Sequence, residues 1–135
     1  MKKLIAVALI TTSLSGCALF DAYFMAGYDT TEYALVNKIK TKAELSVDDC
    51  KDQKVSKQNM NDLYFIAVEM RNFSENIPRN VDTAKLAGNL VELTKQGKDL
   101  YAKDSTVSET FCKLKLQQIG RSAEVAQKVI GKKPR

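Results

Sequence analysis

Apolar residues recur along this chain at alternating spacings of three and four, the period of an amphipathic helix, and give no sustained two-residue alternation of the kind a half-buried strand requires. A first helix is predicted from Thr30 to Leu45, with Val36, Ile39 and Ala43 on one face. Asp29 precedes it and Glu32 follows three residues later, the spacing of a capping box, while Tyr28 and Tyr33 stand at the two positions of a hydrophobic staple. A second helix is predicted from near Ser56, carrying Met60, Leu63, Ala67 and Met70 on its stripe, with Tyr64, Val68 and Phe73 widening it. Asn76, Ile77 and Pro78 end it, because the residue before a proline avoids the helical region. The third, from about Asn80, has Leu86, Leu90, Leu93, Gly97 and Leu100 at the same alternation. Asp104, Ser105 and Thr106 separate it from the fourth, for which Thr106 and Glu109 form a second capping box. Cys112, Leu116, Ile119, Ala123, Ala126 and Ile130 then continue one stripe to the tail.

The first residues follow another pattern. Lys2 and Lys3 give a positive start, Leu4 to Leu14 is an apolar run too short to span a membrane, and Ser15 and Gly16 are small residues just before Cys17. Leu14-Ser15-Gly16-Cys17 resembles the lipobox of bacterial lipoproteins. The resemblance implies a signal peptide over residues 1–16, cut before Cys17, and an acylated Cys17 (palmitate and diacylglyceryl) as the only non-protein group; no cofactor is expected. Three acyl chains hold a protein on a membrane almost permanently, since each buried methylene contributes roughly 0.8 kcal/mol. Ala18 in place of an aspartate resembles the members of that class that reach the outer membrane, here with the domain facing the periplasm. Residues 17–28 form the tether and residues 29–135 the helical domain. The tether holds Leu19, Phe20, Tyr23, Phe24, Met25 and Tyr28, so it is expected either in the membrane interface or packed on the bundle, with an extra turn or two of the first helix buried in the core as the other reading.

Four amphipathic helices with short connections favour antiparallel neighbours, so the fold class is all-α, a small antiparallel four-helix bundle. In that order the first and third connections share one end. Cys50 lies in the first and Cys112 in the second turn of the fourth helix, so both arrive together, and an oxidising periplasm joins them.

Chemistry is sparse. The chain has no histidine, which removes Ser-His and Cys-His nucleophile arrangements and the usual proton shuttle. Two cysteines without histidine or a CxxC motif make a poor metal site, and none is expected. Asp48, Asp49 and Asp52 lack the alternating oxygen ligands and glycine of a calcium loop and read as a solvated turn. The six glycines are isolated, so no phosphate-cradling loop is present. An enzyme is not expected. Of the 21 lysines and arginines two belong to the leader, which leaves the mature chain only about +3 and, with its location, excludes nucleic acid as a partner. No small-molecule substrate is expected either.

Binding is the remaining class. Phe65 and Ile66 fall off the second stripe and Val91 off the third, so these three either widen the core or form a partner-binding patch. The tail Lys128, Lys132, Lys133 and Arg135 suits the dipole at a helix end and solubility, with anionic lipid or cell-wall polymer as the other reading. In layout, Asp29 to Ile130 looks like the pilotins of type II secretion systems. That resemblance implies an adaptor that takes a helix of an envelope protein into a groove and escorts it to the outer membrane. A lipoprotein of a phage or mobile element that blocks a receptor or injection machinery, and a purely structural envelope lipoprotein, are the alternatives.

Overall fold

The computed structural model describes residues 25–103 and 106–135. The signal peptide, Cys17, the tether as far as Phe24, and Asp104 and Ser105 lie outside the described residues. Among those described are four α-helices, α1 (Thr30–Leu45), α2 (Gln53–Glu75), α3 (Val81–Ala102) and α4 (Glu109–Gly131), with a short 3₁₀ turn at Asp48–Lys51 and no strand. Each helix packs on its sequence neighbours and α4 closes the ring against α1; the α2–α3 and α1–α4 contacts are the most extensive. The all-α antiparallel bundle is therefore observed.

The helix starts show how local chemistry selects boundaries. Asp29 caps α1 by accepting from the Thr31 and Glu32 amides at 2.8 and 2.9 Å, and the rings of Tyr28 and Tyr33 sit 5.8 Å apart as a staple. The predicted bounds of α1 match those observed. The second helix begins three residues before the expected Ser56, because Asp52 accepts from the Lys54 and Val55 amides and so caps it. The predicted capping box of the fourth helix does not form. Ser108, two residues beyond Thr106, accepts from the Phe111 amide at 3.2 Å, while the Gln53 side chain bonds both the amide and the carbonyl of Val107 and keeps that residue outside the helix.

The core follows the predicted stripes of α1, α2 and α4 residue for residue. On α3 it is rotated. Thr83, Ala87, Leu90, Thr94, Gly97 and Tyr101 face inward, and the expected Leu86, Leu93 and Leu100 pack half-buried along the edge. Two features allow this. Thr94 satisfies its hydroxyl on the Leu90 and Val91 carbonyls of its own helix, at 2.7 and 3.0 Å. Gly97 admits Met60 so closely that an added methyl would lie 2.7 Å from its Sδ.

Candidate functional site

The antiparallel order gives the bundle two chemically different ends. At one, the 3₁₀ turn points Cys50 inward against the first turns of α4, and Cys50 and Cys112 form a disulfide with S–S 2.05 Å and Cα–Cα 5.7 Å. The aspartates around it are committed to local structure: Asp52 caps α2, and Asp49 accepts from Asn59 Nδ2 at 2.9 Å. Asn59 accepts in turn from Lys42, which pairs with Asp62 at 2.9 Å across the α1–α2 boundary. That hydrogen bond from Lys42 holds the Asp62 carboxyl below the usual carboxylate range.

The opposite end gathers residues from α1 and α2, from the N-cap of α3 and from the segment just after α4. Glu32 does not reach back to the cap of α1; it lies on the core stripe one turn before Val36 and is fully buried. Its carboxylate accepts from Ser74 Oγ at 2.6 Å, from Asn80 Nδ2 at 2.6 Å and from Lys133 Nζ. Lys133 also donates to Asn80 Oδ1, and Asn80 Nδ2 to the Ser74 carbonyl, so every member of the cluster has a partner. Lys133 is thus not part of a solvated basic tail, contrary to the dipole and solubility reading. Lys132 and Arg135 remain exposed, with Arg135 stacked 5.1 Å over the Tyr28 ring, and Lys128 pairs with Glu124.

Both chain termini meet here. The Ala26 amide donates to the Arg79 carbonyl at 3.2 Å and the Tyr28 amide to the Pro134 carbonyl at 2.8 Å. Residues 25–29 are non-helical, so α1 gains no extra turns there. A cleft of about 320 Å³ opens beside them, lined by Met25, Ala26, Val81 and Val129 with Arg79 and Lys133.

The three candidate partner-binding residues separate. Ile66 and Val91, at 5% and 8% exposure, are core residues, because α2 and α3 contact over a wide face and bury what lies beside each stripe. Phe65 stands 71% exposed, and beside it Val68, Glu69, Asn72 and Phe73 line an open groove of about 500 Å³ on the outer side of α2. Sequence reasoning missed the buried cluster, although one signal existed: Glu32, Val36, Ile39 and Ala43 follow the helical period, which places the glutamate on the core face. Among the described residues no helix is long and apolar enough to cross a membrane. Comparison with protein-family models, with curated proteins and with solved structures gave no match to this chain.

Proposed function

We propose that this chain is a non-enzymatic lipoprotein, anchored through Cys17 to the periplasmic face of the outer membrane, whose helical domain binds another envelope protein through the α2 face around Phe65. Support for the anchor comes from the Leu14–Cys17 motif and its apolar leader. Support for the binding face is a single observation: a large aromatic ring held in solvent beside an apolar groove, in a bundle whose core is complete without it. A helix with apolar residues at three- and four-residue spacing fits such a groove by shape and chemistry.

The test is photo-crosslinking in intact cells from position 65 and, as a control, from exposed Lys57 on the same helix. A discrete adduct from position 65 alone supports the reading, and identical adduct patterns from both positions refute it. As an untagged competitor, the unmodified chain is expected to reduce the adduct and Phe65→Ser to leave it undiminished, while Phe65→Ser shifts the melting temperature by no more than a few degrees. Ile66→Ser, which opens the core, is expected to cost about 2 to 5 kcal/mol and to lower the melting temperature steeply.

A further inference from the structure

The chain enters the bundle at the end that holds Glu32 and Lys133, and this fixes which surface a lipid on Cys17 brings to the membrane. Eight peptide steps separate Cys17 from Met25, and at about 3.4 Å per residue the fully extended tether reaches no more than roughly 27 Å. The surface within that reach is not neutral packing. Val81, the first residue of α3, is 75% exposed, and Met25 is exposed beside it at the mouth of the cleft that Ala26 and Val129 line. Exposed basic residues stand in the same segments: Arg79 in the α2–α3 turn that lines the cleft, Lys85 one turn beyond Val81 on α3, and Lys132 and Arg135 just after α4. Asp82 and Glu75 are the exposed acids there, and Glu75 pairs with Arg71. Exposed apolar side chains in segments that also carry exposed cations match a headgroup interface, where the apolar groups enter the acyl boundary and the cations meet phosphates.

We infer that this end of the bundle, formed by Met25, Val81 and the Lys132–Arg135 tail, seats directly on the lipid headgroups, so that the bundle stands on the membrane rather than swinging on its tether. The inference rests on the proposed lipidation of Cys17 and adds to it a posture. α2 has 23 residues and at 1.5 Å each is about 34 Å long, so the disulfide end is held about that far from the lipid and the Phe65 groove faces sideways.

The chain contains no tryptophan, which makes a clean test available. Val81→Trp and, at the opposite end, Leu45→Trp each introduce one reporter at a position already more than 70% exposed. The processed protein, purified from the cells that make it, is incorporated into vesicles of phosphatidylethanolamine and phosphatidylglycerol with brominated acyl chains. A seated bundle gives strong quenching and a blue-shifted emission for V81W and neither for L45W. Adding Lys85→Glu or Lys132→Glu to V81W is expected to shift the seated-to-free ratio about fivefold or more toward free. Equal quenching of the two reporters, or none of either in protein that floats with the vesicles, overturns the posture while leaving the anchor intact. Protein that does not float at all, with no mass added at Cys17, overturns the lipoprotein reading and the posture with it.

Discussion

At one end of the bundle α4 is joined to the α1–α2 connection by a covalent bond; at the other, the segment after α4, the end of α2 and the cap of α3 are joined to α1 by one carboxylate and the three side chains that donate to it. The Cys50–Cys112 bond acts largely on the unfolded chain, by closing a loop of 62 residues, and is indifferent to water. The Glu32 cluster acts on the folded state and depends on water being kept out. Taking two charges out of solvent is costly, so the cluster contributes only while all its partners remain in place. The contrast teaches that the two ends fail differently: the disulfide end as a global loss of stability, the polar end as a local opening that begins in the segment after α4.

The largest expected effect is on the covalent end. The Cys50→Ala/Cys112→Ala pair is expected to lose about 4 kcal/mol of unfolding free energy, read from urea melts, with the helical signal kept at low temperature. A loss below about 1 kcal/mol would erase the contrast drawn here. Next comes Lys133→Ala, which leaves Glu32 buried without its cation. Such a break costs roughly 3 to 5 kcal/mol in general, and the lower figure is expected because the last residues can unravel and let water reach the carboxylate. Hydrogen exchange sharpens this: the amides of α1's first turn and of Ile130 to Lys133 are expected to lose protection while those flanking Cys112 keep theirs. Glu32→Leu with Lys133→Leu is expected to recover part of the loss, since it leaves no unpaired charge although Ser74 and Asn80 each lose a partner. If the double variant is as unstable as Lys133→Ala, geometry rather than charge holds that end.

The smallest effect belongs to the half-exposed pair Lys42 and Asp62, near the disulfide. Because hydrogen bonding by Lys42 lowers the Asp62 pKa in the folded state, its contribution is present above the ordinary carboxylate range and fades as pH falls through the lowered value. Solvent screening keeps it below about 1 kcal/mol. Asp62→Asn is expected to lower stability at neutral pH by less than about 1 kcal/mol and to leave it unchanged below the lowered value, which flattens that part of the acid-range slope in a stability-versus-pH series.

These ends differed in how far the sequence foretold them. The disulfide was legible because its inputs are topological: two cysteines, four helices and their order. The Glu32 cluster was not, because its partners lie 42, 48 and 101 residues away and carry no spacing of their own. Glu32 also satisfied a local rule, three residues after Asp29, and that local explanation concealed its place on the buried face. The α3 face was misjudged for a related reason. Leucines were counted as core and threonines were not, whereas Thr94 bonds its own helix and Gly97 gives Met60 room, so volume rather than hydropathy set the inward face. Of the candidate binding residues, Phe65 and Ile66 are adjacent and equally apolar, and only the packing of α2 against its neighbours separates them.

The hydrogen bond between Lys133 and Glu32 also has a meaning in time. Glu32 and Lys133 lie 101 residues apart, so the pair forms only after the chain has turned back and the segment after α4 has reached the start of α1. Until then a closed bundle would enclose a lone negative charge, and an open chain keeps it hydrated. The pair is therefore a latch: the start of α1 and the segment after α4 must meet in the same step in which the bundle shuts, so closure is collective rather than helix by helix.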